Sequence, residues 1–226
     1  MRRERPLIAI DGPVGAGKST VAQRLARVLG CEYVNTGAMY RAVAVAARAA
    51  GISADDREAE PKLDALLKAA RIDFLDGRIS LDGRDISAEI GSPEVGESAS
   101  RLSTLAVVRA RMRDLQRAAG ARGGVVMEGR DIGTAVFPDA EFKFFLDAGA
   151  EVRAERRWRE LAARGVAITR EQVLAQLHER DRRDRGRELA PLRPAPDAIV
   201  VDASRVGVEE VVALMAQRVR ARGGAA

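Results

Sequence analysis

Apolar residues gather in five short runs along the chain, at residues 7–10, 31–34, 125–127, 143–146 and 199–201. Each is too short for a helix and does not alternate with polar residues, which is the pattern of a strand buried on both faces of a parallel sheet. Elsewhere apolar positions recur at helical spacing. Val43, Ala46, Ala47 and Ala50 do so within residues 37–50, and Leu174 and Leu177 follow the capping-box sequence Thr169-Arg170-Glu171-Gln172. A last helix is expected over residues 208–220, with Gly223-Gly224-Ala225-Ala226 fraying beyond it. Strands alternating with helices predict an α/β fold: a five-stranded parallel sheet, doubly wound with flanking helices, binding ligands beyond the strand C-termini. The runs end beside Asp11, Asn35-Thr36, Glu128-Gly129-Arg130, Asp147 and Asp202, so a site is expected among these residues.

The stretch between the second and third runs is far longer than the dozen or so residues a crossover needs. Within it, Ile72-Asp73-Phe74 and Ile79-Ser80-Leu81, punctuated by Asp76-Gly77 and Asp82-Gly83, predict small antiparallel hairpins. An inserted subdomain is expected over residues 37–103, with the core formed by 1–36, 104–149 and 166–226. Residues 150–165 make a separate short helical segment carrying Arg153, Arg156, Arg157, Arg159 and Arg164. Arg153, Arg156 and Arg157 share one helix face. The segment reads as a mobile lid, or equally as a solvated face balanced by Glu151, Glu155 and Glu160.

The sequence Gly12-Pro13-Val14-Gly15-Ala16-Gly17-Lys18-Ser19 joins the first strand to a helix and matches G-x-x-x-x-G-K-[ST] at every fixed position. In such a P-loop the backbone N–H groups turn inward around a polyphosphate at the positive end of a helix. Lys18 is expected to reach the β- and γ-phosphates, and the Ser19 hydroxyl to meet Mg²⁺. Residues 12–20, including Thr20, therefore form the expected nucleoside triphosphate cradle. Guanine recognition by an N/T-K-x-D clamp is excluded, because Asn35 is the only asparagine and no lysine sits in such a motif. An ABC-type signature is also missing. A compact phosphotransferase remains, in which arginines clamp phosphates and transfer is mostly positioning and charge neutralisation.

Composition narrows this further. The net charge of +5 comes almost wholly from arginine, since Lys18, Lys62, Lys68 and Lys143 are the only lysines. Arginine forks suit phosphate oxygens. A pI of 9.9 also fits an ATP-binding regulator of nucleic acid. Against that, aromatics make up only 4% and interleave with no basic run that could stack bases, so no nucleic-acid partner is expected. A single cysteine, Cys31, rules out an internal disulfide and is expected to be a buried inert thiol, as in a reducing, cytoplasmic setting. His178, the only histidine, is expected to be partly exposed; it leaves nothing to build a Ser-His-Asp triad or a multi-histidine metal site. No apolar stretch approaches a membrane span, and nothing marks an interface, so a monomer without membrane attachment is expected.

Four motifs in order resemble the bacterial cytidylate kinase family of nucleoside monophosphate kinases. They are Asp11-Gly12-Pro13-Val14-Gly15-Ala16-Gly17-Lys18, Thr36-Gly37-Ala38-Met39-Tyr40-Arg41, Glu128-Gly129-Arg130-Asp131-Ile132-Gly133-Thr134 (with Val136-Phe137-Pro138-Asp139-Ala140 behind it), and Arg180-Asp181-Arg182-Arg183-Asp184-Arg185 before Ala190-Pro191-Leu192. The resemblance implies a P-loop kinase core whose insertion binds the acceptor, and transfer of the γ-phosphoryl group of ATP to CMP or dCMP with Mg²⁺. It implies that Thr36, Tyr40 and Arg41 lie beside the acceptor, with Arg41 and Arg130 gripping its α-phosphate. It also implies that Ser100, Arg109 and Asp131 face the cytosine edge, that Arg180 and Asp184 approach the ribose with Arg187 nearby, and that Arg153 and Arg157 act from the lid alongside Lys18 and Arg130 in catalysis. Taken alone, Arg109 reads as an exposed helical arginine and Asp131 as a cap or turn residue. Arg180, Asp184 and Arg187 read as surface ion pairs at helical spacing. A small P-loop kinase acting on another nucleotide or on a small alcohol stays open on the residues alone. Three positions depart from the family pattern: Ser19, with Thr20 next to it, where many members have Gly-Thr; Thr36 where Ser is common; and Glu128 where Asp is usual.

Overall fold

Strand β1 (Leu7–Asp11) is buried at all five positions and forms the middle of the main sheet. The computed structural model describes residues 3–75 and 78–223. In chain order, β1 is followed by α1 (Lys18–Leu29), β2 (Glu32–Asn35), α2 (Thr36–Ala49), α3 (Ala59–Ala69), β3 (Ile72–Leu75), β4 (Arg78–Leu81) and β5 (Arg84–Asp85). After a 3₁₀ turn at Glu89–Gly91 come α4 (Pro93–Leu102), α5 (Ala106–Gly120) and β6 (Val125–Gly129). A π turn at Ile132–Val136 leads to β7 (Phe142–Asp147), α6 (Ala150–Ala163), α7 (Arg170–Arg185), β8 (Ile199–Asp202) and α8 (Val208–Gly223).

The main sheet is five-stranded and parallel, in the order β2-β6-β1-β7-β8. All five apolar runs are strands of it. The register sets Asp11 opposite Gly129 of β6 and Phe145 of β7, so the chain leaves the sheet at one level on neighbouring strands. That shared exit gathers the P-loop, the 130–136 turn and the start of α6 at one edge. The last run differs from the expected burial. In β8 Ile199 is 39% and Val200 60% exposed, because β8 is an outer strand with a neighbour on one side only.

The chain divides into two compact units, Met1–Glu32 with Arg122–Ala226, and Tyr33–Ala121. In the first, α1 packs on β6 and α8, and α6 on α7. In the second, α2 packs on α4 and α3 on α5, with the antiparallel sheet β3-β4-β5 beside α2. Its hairpin register pairs Ile72 with Leu81 and Phe74 with Ile79. The expected Asp76-Gly77 turn, residues 1–2 and residues 224–226 lie outside the described residues.

Local signals explain several boundaries. Thr169 and Gln172 form the reciprocal capping box that opens α7. Ser92 caps α4, with Pro93 at its first position, a start signal carried by the local sequence. Helix α2 stops a residue early, which leaves Ala50 exposed as its C-cap. Cys31 is only half-buried, contrary to expectation, because it sits on the short approach to an outer strand; burial still pushes its thiol pKa up. His178 is exposed on α7.

Gly12 is the position where backbone crowding is most severe within the P-loop. Its φ is +150°, and a Cβ placed there would lie 2.0 Å from the Leu146 carbonyl oxygen of β7. A steric clash with backbone cannot relax by side-chain rotation. Gly12→Ala is therefore expected to destabilise the fold by at least about 2 kcal/mol, read as a lower midpoint in urea unfolding.

Candidate functional site

The loop from Gly12 to Gly17 is shaped by two further left-handed glycines, Gly15 (φ +78°) and Gly17 (φ +95°). Gly17 is the N-cap of α1, makes no side-chain cap, and is followed by no acidic residue in the first turn. The helix thus presents its uncompensated N–H groups and positive end with no protein anion in place, which suits a bound phosphate. Pro13 and Ala16 are buried, Val14 and Gly15 half-buried, and Ser19 and Thr20 exposed. Both hydroxyls of the Ser19-Thr20 pair are therefore accessible.

Lys18 is 5% exposed and folds back, donating from Nζ to the Pro13 carbonyl at 2.7 Å. Burial pulls its pKa down to about 7, with the positive Arg130 and Arg180 adding to the shift and Glu128 and Asp184 opposing it. Asp11 moves the other way. Burial raises it to about 6, against the N–H groups of Gly133 and Ile132, which its carboxylate accepts at 2.8 and 2.9 Å. These two bonds fix the start of the π turn directly behind Arg130 and Asp131. Among the described residues no three His, Cys, Asp or Glu side chains gather to hold a metal ion.

Around Lys18 lies an arginine cluster organised by Asp184, which is 1% exposed. Its carboxylate accepts from Arg130 Nε at 3.1 Å and is ion-paired with Arg187 Nη2. Burial pushes Asp184 up, but Arg130, Arg187 and Arg180 outweigh it and hold the carboxyl below the usual carboxylate range. The surface-pair reading of Arg180, Asp184 and Arg187 therefore fails, because the carboxylate is inside the protein. In this structure its oxygens face Arg130 and Arg187. Asp131 is buried and opens the π turn through its backbone carbonyl, as a turn residue, with no cap from its side chain. Glu128, on β6, is buried.

Helix α6 divides its arginines between two roles. Arg159 pairs with Glu155, and Arg164 with Glu160, as a solvated face does. Arg157 pairs with Glu160 at 2.7 Å, while Arg156 donates to the carbonyls of Ala203 (2.6 Å) and Ala16 (3.5 Å). Arg153, which the resemblance implies acts from the lid, is held inside the protein. It is 4% exposed, and its guanidinium is shared among Asp181, Ala148 and Val14. Asp181 was not singled out from sequence. The signal was present, since Val173, Leu177, Asp181 and Asp184 continue one buried stripe along α7.

In the second unit, Asn35 caps α2 by accepting from the Ala38 N–H, leaving Thr36 buried at the first helical position with Tyr40 one turn on. Arg41 donates to the Ile90 carbonyl at 2.5 Å and lies against Gly96 of α4, where a Cβ would come within 3.0 Å of its Nη2. Ser100 and Arg109 come together around Ser103. The Ser103 hydroxyl donates to the Ser100 carbonyl at 2.7 Å, and Arg109 Nη1 to the Ser103 carbonyl at 3.4 Å. Arg109 is thus half-buried and anchored rather than freely solvated.

Comparison with known proteins agrees with this arrangement of motifs. The family described as Cytidylate kinase matches residues 8–221. A cytidylate kinase of Geobacter sp. (strain M21) is 47% identical over 226 residues, covering 98% of this chain and 96% of that protein. Another, from Pelotomaculum thermopropionicum, is 49% identical over 218 residues and covers 96% of each. Among solved structures, an uncharacterized protein from Eubacterium ventriosum superposes with a TM-score of 0.51 at 12% identity, covering 96% of this chain and 99% of its own, a likeness of fold alone.

The Lys18 pKa has a measurable consequence. Between about pH 7 and its ordinary 10.5, the empty folded site holds Lys18 neutral while the unfolded chain keeps it charged. Stability from this difference is full above 10.5 and lost as pH falls through 7. A bound polyphosphate restores the charged form. Calorimetry of triphosphate binding at pH 8, in buffers of different ionisation enthalpy, is expected to show uptake of up to about one proton per nucleotide. Lys18→Met should abolish it, and wild-type binding without proton uptake would contradict the assignment.

Proposed function

Because the chain belongs to the cytidylate kinase family, we infer that it transfers the γ-phosphoryl group of ATP to CMP, and to dCMP as well, giving CDP or dCDP and ADP. The observation that carries this reading is the arginine cluster beside the P-loop lysine: Arg130 and Arg180 bear on Lys18 and on the buried Asp184 together. A triphosphate cradle alone needs no such second cation group. A monophosphate brought up to ATP does, because two anions must be held in line against their repulsion.

The residues divide the work as follows. Residues 12–20 wrap the ATP phosphates, and Lys18 neutralises the β- and γ-phosphates. Mg²⁺ fits a site with few acidic ligands, since it commonly keeps several waters and binds through substrate phosphates. The exposed Ser19 hydroxyl is the protein ligand we assign to it, where it would screen charge on the transferring group. Arg130, with Arg41, binds the acceptor phosphate, and Arg157 caps the transferring group. An arriving phosphate competes with Asp184 for Arg130, and that exchange frees the Asp184 carboxylate toward the ribose, beside Arg180 and Arg187. Thr36 and Tyr40 line the acceptor.

Cytosine needs an acceptor for its 4-amino group and donors for O2 and N3. Asp131 supplies the first and Arg109 the second, with Ser100 alongside. Uracil would turn O4 toward the carboxylate, and an unsatisfied buried pair discriminates better than an apolar wall. No helix among the described residues is long and apolar enough to cross a membrane, and we assign a cytoplasmic, monomeric enzyme.

A coupled ADP-release assay across CMP, dCMP, UMP, AMP and GMP tests the reading. CMP and dCMP are expected to be preferred. Asp131→Asn should cut kcat/KM for CMP by roughly 10²-fold or more and narrow the CMP-to-UMP ratio. Preference for AMP or UMP in the wild type, or an unchanged ratio in Asp131→Asn, would reject it.

A further inference from the structure

Arg153 and Asp181 carry opposite charges in places where charged side chains are rarely found unless paired, and the transfer scheme above uses neither. Their pairing is a fork: Arg153 Nη1 reaches Asp181 Oδ1 at 3.2 Å, and Nη2 reaches Oδ2 at 2.6 Å. The same guanidinium donates from Nε to the Ala148 carbonyl at 2.8 Å and from Nη1 to the Val14 carbonyl at 3.0 Å. One side chain thus joins the end of β7, the P-loop and α7. The loop is also pressed onto α6 at Gly15, where a Cβ would lie 3.1 Å from Arg153 Cβ and 3.2 Å from the Arg153 carbonyl oxygen. Val14 packs on the apolar seam of α6 and α7 formed by Ala154, Leu161, Val173 and Leu177.

Three residues along α7, Asp184 takes Arg130. Positions three apart lie on one helix face. A single face of α7 therefore holds the triphosphate loop through Asp181 and the acceptor-phosphate arginine through Asp184. Resting on the proposed ATP-to-CMP transfer, we propose that Arg153 and Asp181 are positioning residues whose pairing sets the P-loop in register with Arg130. In this role Arg153 acts through Val14 and Asp181 and does not touch the transferring group. In-line transfer without a covalent intermediate draws its rate from alignment, and a misplacement of about 1 Å costs on the order of 10²-fold. A planar fork fixes both distance and angle, which a lysine ammonium cannot reproduce.

The test is initial-rate kinetics in both substrates for the wild type, Asp181→Asn, Arg153→Lys and the double variant, each checked for folding by circular dichroism and thermal midpoint. Asp181→Asn keeps the side chain's shape, and Arg153→Lys keeps a charge against Asp181, so the second serves if the first does not fold. Each single variant is expected to lower kcat by about 10–100-fold, with KM for ATP and for CMP changed less than about threefold. The double variant should be no worse than the worse single, because both break the same pair. If Arg153→Lys loses kcat while Asp181→Asn keeps it, Arg153 acts on the substrate directly and the proposal falls. It falls equally if the variants melt earlier but the folded enzyme keeps wild-type kcat. A wild type that does not phosphorylate CMP would instead reject the underlying functional reading.

Discussion

The buried carboxylate of Asp184 is the constraint on which the site depends. Arg130, Arg180 and Lys18 all act on it or on one another, and with Arg187 they make a dense group of cations in a low-dielectric setting. Such a group repels itself unless an anion lies among them, since Coulomb energies rise steeply as solvent is excluded. Asp184 is that resident anion. It is 1% exposed and ion-paired on two sides, so the cluster can be assembled before any nucleotide arrives. Burial, with Arg130 and Arg180 adding to it, still holds Lys18 well below its ordinary pKa. A phosphate bound beside it favours the charged lysine.

The same logic extends to the loop and to α7. Lys18 leans on the Pro13 carbonyl, and Arg153 on that of Val14. Backbone oxygens of the P-loop thus face its cations, while the N–H groups at the start of α1 carry no side-chain cap. Asp11 orders the adjoining turn by accepting from Ile132 and Gly133. Three carboxylates on two elements, Asp11 of β1 and Asp181 and Asp184 of α7, therefore set the shape of a site built to receive anions. None of them needs to touch the transferring group to matter, because alignment is the larger part of this chemistry.

What could be read from sequence follows from range of interaction. Strands at 7–10 and 125–127 and the capping box at Thr169 are local patterns, and they formed as read. The P-loop was legible because its motif encodes its own backbone geometry. The role of an arginine was not, because it depends on a partner remote in the chain. Arg153 meets Asp181 across 28 positions and Arg130 meets Asp184 across 54. Nothing near Arg153 separates it from Arg159, which pairs in solvent with Glu155. The one usable hint was on α7, where Asp181 and Asp184 continue the Val173–Leu177 stripe. A carboxylate at a core position of a helix has to find a cation, and the helix before it is rich in arginine.

The basic pI also takes on a different meaning at this level. A surface that tracks a nucleic-acid backbone needs rows of exposed cations free to displace counterions. Here many exposed arginines have acidic neighbours: Arg48 and Arg84 share Glu89, Arg170 pairs with Glu151, and Arg159 with Glu155. Such pairs add about 0–1 kcal/mol to stability, but they cancel local potential. Inside the protein, Lys18 and the arginines held on Asp184 lie close together, where burial strengthens every charge interaction. Cations brought together by burial suit a compact polyanion better than a long one. Two nucleotides meeting at their phosphates are such a polyanion, and a phosphate among these groups would favour the charged form of Lys18.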